Sequence, residues 1–584
     1  MRLDRLKIRN YRNLAEVDIA LSPGTVVVGE NRAGKTNLVR ALRLVLDASL
    51  PNSERQLRAE DFWDGLSDGS PEWDPMAAGE VIEVAVEMSG FDDDPVLLAV
   101  LGDALISEEP LGARLTFRFA PRATGAAEET GSAGYEWRIF GGEDEDLHIA
   151  GDLRGYLHLV YLHALRDVAG DIASWRRSPL RVLLEAAAAA ASPDELKAAA
   201  AAIATANAEV TELDPVKELG RRIGERTQEM VGKNQAVETE LGIAPLDPLR
   251  LLRDLRLFVD GEKRRPIASA SLGTLNVLYL ALLELGLEHR VKGSEIAHVV
   301  MAIEEPEAHL HPHLQRLIFR RLLRREADGS QTTLVTTHSP HIASVASPRS
   351  LVFLRNLGDR TEASVAAEAE LEEKEWNDIE RYLDATRAEL VFAQCVLLVE
   401  GYAEQVLVPS VAANQDLDLD QLGISICAIH GTHFASYARF LSALQIPWAV
   451  ITDGDPTSKG KGSRAGDRRA ELLLGRLGMA GQAPQEVGVF VGETTFEYDL
   501  CCASDDNFES FLNAFESFKL GPAAAATGGA WREEETQPEL DDFLNLLQRV
   551  GKGRLAHRLA GSSLDGPEYV SAALRYLATA HDRA

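Results

Sequence analysis

The segment Gly29-Glu30-Asn31-Arg32-Ala33-Gly34-Lys35-Thr36 constrains this chain more than any other. Its spacing is G-x-x-x-x-G-K-T, in which two glycines let backbone N–H groups wrap a phosphate. Lys35 is placed to reach the β- and γ-phosphates, and the Thr36 hydroxyl to ligate magnesium. The flanks agree. The β-branched run Thr25-Val26-Val27-Val28 predicts a buried strand entering the loop, and Asn37 to Leu42 predicts a helix leaving it. The expectation is an α/β domain that holds ATP with one Mg²⁺ through Asn31, Gly34, Lys35, Thr36 and Asn37.

Such a loop needs a carboxylate at the end of a second buried strand. Ala297 to Ile303 is an apolar run ending at Glu304-Glu305. Glu304 is expected to hold the magnesium, directly or through water, and Glu305 to polarise the attacking water. A further buried-type strand, Thr332 to Thr337, delivers His338 as a sensor of the γ-phosphate. Between the strands, Ser271-Leu272-Gly273 heads an apolar helix, and Glu307 to Pro312 forms a loop. These features resemble SMC-type ABC ATPases. Ser271 and Gly273 stand at that class's signature motif, and Glu307 to Pro312 at its D-loop. The resemblance implies ATP-dependent head-to-head dimerisation. The signature is degenerate, with Leu272-Gly273-Thr274 where serine-glycine-glycine is usual, which implies slow turnover. His309, His311 and His313 alternate across Pro312, which is not the helical spacing of a zinc site.

The organisation around these motifs is mixed. Leu3–Ile8 and Val17–Leu21 alternate and predict two strands before the first helix, and 81–88 and 114–119 alternate and predict an antiparallel layer after it. From Asp167 to Thr239 the character is helical, with a capping box at Ser192-Pro193-Asp194-Glu195. That block lacks the heptads of a coiled-coil arm and reads as a compact insertion. Strand–helix alternation returns from Leu251 to Leu354. An acidic stretch from Glu362 to Asp384 reads as a connecting helix, and Gly521 to Gln537 as a mobile loop. The expected boundaries are 1–166 and 246–384 for the two parts of the ATPase domain, 167–245 for the insertion, and 385–584 for a C-terminal α/β domain.

That last domain carries a second set of acids. Val396 to Val399 ends at Glu400-Gly401, with Glu404 one helical turn later. Trp448 to Thr452 ends at Asp453-Gly454-Asp455, and Val487 to Val491 leads to Thr495-Phe496-Glu497. Carboxylates at the carboxyl edge of one parallel sheet suit Mg²⁺ or Mn²⁺ rather than zinc. Glu400, Glu404, Asp453, Asp455 and Glu497 are the expected ligands, joined by Thr495 through the resemblance described next, enough for two ions that activate a water and stabilise a leaving oxygen. Lys552 is placed to neutralise charge that builds up in the transition state.

Glutamate followed by D-x-D on successive strand ends resembles the Toprim domain of topoisomerases, primases and certain nucleases. An ABC/SMC-like ATPase domain with a helical dimerisation insertion, followed by Toprim, resembles the OLD (overcoming lysogenization defect) family across essentially the whole chain. Glu400 and Glu404 match the family's first acidic pair, Asp453 and Asp455 its D-x-D, Thr495 and Glu497 its third motif, and Lys552 its basic motif. His430 to Phe434 matches its loop before the D-x-D strand. The resemblance implies metal-dependent cutting of DNA, a homodimer, room for a helicase partner, and a role in phage defence or DNA repair.

Charge neither supports nor excludes DNA. The formal net charge is −31, which repels polyanions at long range. Carboxylate clusters contribute to that sum, and basic patches exist at Arg320, Arg321, Arg324 and Arg325 and at Arg464, Arg468 and Arg469. Four scattered cysteines suggest no disulfide framework. The absence of a long apolar run or a leader-like start points to a cytoplasmic, non-membrane protein. An ATP-gated clamp with a silent Toprim domain and an RNA-cutting effector are the competing readings. The full set of acids and Lys552 disfavours the clamp. A topoisomerase also needs a tyrosine-bearing partner domain, and a primase has no use for the ABC half.

Overall fold

The computed structural model describes the chain except for residues 123–133, 148, 150, 164–166, 175–177, 233–238, 240, 242–254, 261, 325–330, 384–386, 456–463, 520–530, 532–537 and 582–584. Arg325 and most of the expected loop 521–537 therefore lie outside the described residues. The chain divides into two compact units, one of residues 1–164 and 297–584 and one of residues 165–296.

The first unit opens with β1 (Arg2–Tyr11), β2 (Leu14–Ala20) and β3 (Gly24–Gly29), followed by the helix Lys35–Leu46. Then come β4 (Ile82–Ser89), β5 (Leu105–Glu108), β6 (Leu111–Pro121), β7 (Tyr135–Gly141) and β8 (Leu157–Leu162). An antiparallel sheet runs β2-β1-β4-β6-β5, with β7 also on β6. The alternation seen in sequence is the alternation of its two faces.

After the short pair β9 (Phe258–Val259) and β10 (Arg265–Pro266) of the second unit, the first resumes with β11 (His298–Glu304), β12 (Gln331–Thr336), β13 (Leu351–Asn356) and β14 (Thr361–Val365). These strands join β3 and β8 in the order β14-β13-β3-β12-β11-β8. All pairs are parallel except the antiparallel edge β13–β14. β3 is buried along its whole length, as expected of a central strand covered on both faces. The helix Lys35–Leu46 sits between the two sheets, and Leu38, Leu42 and Val45 share one core with Leu6, Val84, Leu159 and Ala302. The stretch expected as a connecting helix is one only from Glu373 to Tyr382. Its start, Thr361–Val365, is an edge strand, because alternation of Thr361, Ala363 and Val365 fits the pleat of β13.

The C-terminal part of this unit has β15 (Cys395–Val399), β16 (Ile424–Ala428), β17 (Trp448–Thr452) and β18 (Val489–Val491). They form a parallel sheet ordered β16-β15-β17-β18. The helix Glu373–Tyr382 ties onto it. Trp376 meets Phe440 edge-on at 6.4 Å, and Glu375 accepts from Ser436 at 3.2 Å and pairs with Arg439 at 3.4 Å.

The second unit is mainly helical: Val168–Ala173, Leu180–Ala190, Pro193–Thr211, Asp214–Val231 and Leu272–Lys292. Ser192 and Glu195 form the expected reciprocal capping box. Val168, Ile172, Leu275 and Leu282 make its small core.

Candidate active sites

At the first site the glycines are sterically required. A Cβ on Gly29 (φ +152°) would lie 2.3 Å from the Leu354 carbonyl oxygen, and one on Gly34 (φ +88°) would meet the Asn13 side chain at 2.7 Å. Lys35 is buried and donates to the carbonyls of Gly29 (2.8 Å) and Glu30 (2.9 Å), so its ammonium bonds to its own loop. Burial lowers its pKa. Asn37 turns the other way, donating to Asn13 at 2.7 Å and accepting from Arg12 at 3.0 Å. Arg12 in turn pairs with Asp61 at 2.8 Å. Asn31 lies exposed in the loop.

Glu304, at the end of β11, accepts from the Tyr161 hydroxyl at 3.0 Å, while its buried Oε1 has no hydrogen-bond partner. Burial raises the Glu304 pKa. Glu305, in left-handed backbone (φ +42°), lies 3.6 Å from His338 Nε2. Glu307 fixes that histidine's loop, accepting from the His338 N–H (2.7 Å) and the Thr337 hydroxyl (2.8 Å). Lys35, Glu304, Glu305 and His338 thus converge at the carboxyl edge of β3, β11 and β12, the edge where open α/β sheets bind ligands. Ser271 caps the helix Leu272–Lys292, accepting from the Thr274 N–H at 3.2 Å, with Gly273 in its first turn; both belong to the helical unit.

The second site occupies the carboxyl edge of the C-terminal sheet. Glu400 follows β15, and its Oε1 accepts from the Asp453 N–H at 3.0 Å and from the Thr452 hydroxyl. Asp453 follows β17, and its Oδ1 accepts from the Phe496 N–H at 2.8 Å. Glu404 lies in the first turn of the helix Tyr402–Asn414. Glu497 lies in the first turn of the helix Phe496–Cys501, a turn beyond the strand end where sequence placed it. Lys552 Nζ is 3.0 Å from Glu497 Oε2.

The electrostatics show how crowded these acids are. Burial, then the charge of Glu400, pushes Asp453 up to about 8. Burial, assisted by Glu497, pushes Glu404 up to about 7. Burial works against the charge of Lys552, but Glu497 beside it, with Asp453 and Glu404, lifts its pKa overall. Thr495 Oγ1 and Glu497 Oε1 are buried without a hydrogen-bond partner. Oxygen atoms with unused lone pairs, beside carboxylates that repel one another, suit a hard divalent cation. Among the described residues, no three His, Cys, Asp or Glu side chains are already drawn together as a ready-made ion site.

Three residues belong to these sites without having been singled out for them. Tyr161 holds Glu304. Tyr569 has its hydroxyl buried without a partner near Asp499 and Asp453, and burial raises its pKa. Arg469, which the sequence groups with Arg464 and Arg468 in a basic patch, turns inward instead. It donates to Asp455 Oδ2 at 2.8 Å and lies 3.3 Å from Glu400 Oε1. The reason is electrostatic, since its helix starts beside a strand end crowded with acids. Arg464 pairs with Asp467 and Arg324 with Glu380, so each patch is smaller than its residue count. Only the local alternation of strand and helix hinted at these roles.

Comparison with known proteins gives family matches in both the ATPase part and the C-terminal part. The family described as "AAA ATPase domain" matches residues 1–88 and 186–343. The one described as "Overcoming lysogenization defect protein-like, TOPRIM domain" matches 391–455. The chain is 27% identical to an OLD nuclease of Thermus scotoductus over 78% of its own length and 82% of that protein. It is 22% identical to the endonuclease GajA of Bacillus cereus, covering 82% and 79% of the two chains. The solved C-terminal region of the Burkholderia pseudomallei OLD protein is 32% identical, covering 32% of this chain and 99% of that one, with a TM-score of 0.29. With an ATPase domain followed by a C-terminal Toprim domain, the chain belongs to the OLD family.

Proposed function

We propose that this protein is an ATP-binding, divalent-metal-dependent DNA endonuclease acting in phage defence or DNA repair. The observation that carries this is the gathering of Glu400, Glu404, Asp453, Glu497 and Lys552 at one sheet edge, with Thr495 Oγ1 and Glu497 Oε1 buried and unpartnered. Glu400, Glu404, Asp453, Asp455, Thr495 and Glu497 would hold Mg²⁺ or Mn²⁺. Two such ions would supply an activated water and stabilise the leaving oxygen of a phosphodiester. The chain's own residues do the rest. Asp453 is aimed by the Phe496 N–H, Glu400 by the Asp453 N–H, and Lys552 brings positive charge to the side of the site where Glu497 lies.

In the ATPase half, Lys35 and Thr36 would bind the phosphates and Mg²⁺, Glu304 would complete the magnesium shell, and Glu305 with His338 would position water and sense the γ-phosphate. Ser271 and Gly273 would meet nucleotide held by a second copy. A homodimer is supported by Leu219, Ile223 and Met230, which project exposed from the helix Asp214–Val231. No helix among the described residues is long and apolar enough to cross a membrane.

The test is cleavage of supercoiled plasmid with Mg²⁺ or Mn²⁺, with and without ATP, beside an Asp453→Ala/Asp455→Ala variant. Metal-dependent nicking that the double variant lacks supports the proposal. An intact plasmid under every condition overturns it and makes structured RNA the next substrate.

A further inference from the structure

Arg469 turns into the acidic edge of the C-terminal sheet. It lies in the helix Ala465–Arg476 that follows the D-x-D segment, yet its guanidinium reaches back over the ends of β15 and β17. Nη1 donates to Asp455 Oδ2 at 2.8 Å, and Nε donates to the Thr452 hydroxyl at 3.1 Å. Nη2 lies 3.3 Å from Glu400 Oε1 and also donates to the Asp453 carbonyl. The side chain is 24% exposed, so it is embedded in the site rather than laid across it. One planar fork thus bridges two carboxylates that follow two different strands, a geometry that guanidinium fits and ammonium does not.

The acids consequently fall into two sets, each with its own cation. Glu400 and Asp455 share Arg469, whereas Glu497, with Asp453 and Glu404 around it, faces Lys552. A divalent ion of magnesium size draws its oxygens in to about 2.1 Å, so two ligands of one ion sit roughly 3 Å apart. The Glu400 and Asp455 oxygens point instead at one guanidinium, which takes the lone pairs that an ion between them would use. Asp455, in left-handed backbone (φ +44°), has its N–H bonded to the Thr494 carbonyl at 3.0 Å, so both ends of this residue are tied.

We propose that Arg469 is an internal counter-cation standing where a second divalent ion would bridge Glu400 and Asp455, so that the resting site takes one ion readily and a second only when the guanidinium withdraws. This rests on the assignment of the Toprim acids as metal ligands. It goes beyond that assignment by giving the two ions unequal standing and naming the residue responsible. A purely structural arginine would behave oppositely, since its loss would let Glu400 and Asp455 splay and weaken metal binding.

The experiment is calorimetric titration of the nucleotide-free full chain with MnCl₂. The set is wild type, Arg469→Gln, Arg469→Lys, Arg468→Gln and Asp453→Ala, the last marking which binding belongs to this site. Wild type is expected to bind one Mn²⁺ tightly at the Asp453-dependent site. Arg469→Gln should bind a second at least tenfold more tightly than wild type does. Arg469→Lys, which keeps a charge but cannot bridge both acids, should fall between, and it remains informative if the glutamine variant folds poorly. Arg468→Gln removes the same charge one residue away and should behave as wild type. Equal or weaker binding in Arg469→Gln, or an equal gain in Arg468→Gln, overturns the proposal while leaving the metal site standing. Mn²⁺ binding that Asp453→Ala does not alter in any protein overturns the metal assignment itself.

Discussion

Gln394 donates from Nε2 to Glu30 Oε1 across 2.9 Å, joining the nucleotide-binding loop to the residue that precedes β15. Glu400 follows directly on β15. The glycine-rich loop is therefore one side chain and one strand away from Glu400. Such a bond contributes about 0.5–1.5 kcal/mol, equivalent to roughly two- to twelvefold in a coupling constant. Gln394→Ala is expected to leave ATP-free cleavage within about twofold of wild type and to shrink the ATP effect by that factor. Plasmid cleavage across an ATP titration checks it, and an undiminished ATP response would refute the link.

Tyr161 and Glu304 give a graded test of the ATPase half. Glu304→Gln removes the carboxylate and is expected to lower phosphate release by about 10²-fold or more. Tyr161→Phe removes only the hydrogen bond and should cost about three- to tenfold. Equal losses in the two variants would mean that Tyr161 does more than orient Glu304.

The raised pKa values of Asp453 and Glu404 make a signed prediction. Folding lifts them to about 8 and about 7, from about 3.9 and 4.3 in an unfolded chain. The folded state thus holds protons more tightly. Its advantage is complete below the unfolded values and is lost as pH rises through the folded ones. Melting in EDTA should therefore fall in temperature between pH 5 and pH 8.5, on the order of several degrees. Mn²⁺ must displace those protons, so its affinity should rise by up to about tenfold per pH unit per proton released. Calorimetry in buffers of different ionisation enthalpy would count them, and no proton release at pH 7 would sink the assignment.

Lys552 faces a buried glutamate across 3.0 Å. Lys552→Ala is expected to reduce cleavage by about 10²-fold or more, with ATP hydrolysis unaffected. Lys552→Arg should restore part of it, because the charge returns with a different shape. Full activity in Lys552→Ala would remove it from the mechanism.

Leu219 and Ile223 are 51% and 41% exposed on the helix Asp214–Val231. Replacing both with glutamate should shift the protein toward monomer in light scattering while leaving its helical content intact. A wild-type monomer at micromolar concentration with bound ATP would defeat the dimer assignment.

Much of this was legible in sequence because the chemistry sits at strand ends. Val26–Val28 and Leu397–Val399 are short apolar runs followed at once by their functional residues, and parallel sheets put such residues on one edge. What escaped is contact made across the sequence. Nothing local tells Arg469 to turn inward while Arg468 stays exposed, since each looks like a surface cation on an amphipathic helix. Likewise Tyr161 looks like one more strand residue until β8 pairs with β11 and its hydroxyl meets Glu304. The start of the Glu362–Asp384 stretch, expected as helix, belongs to the strand Thr361–Val365, because acidic neighbours mask a short alternation that only β13 completes.

The helical unit leaves after β8 and returns before β11, which are adjacent and parallel in the ATPase sheet. Parallel neighbours require a crossover of at least about a dozen residues, so residues 165–296 serve the sheet as one very elaborate crossover. Since closing a longer loop costs only about 0.6 kcal/mol per doubling, this is where the chain is freest to exchange one assembly module for another. The catalytic frame could outlive many changes of companion there, and a chimaera cut at these two strand ends should keep its nucleotide-binding fold while acquiring the donor's mode of association.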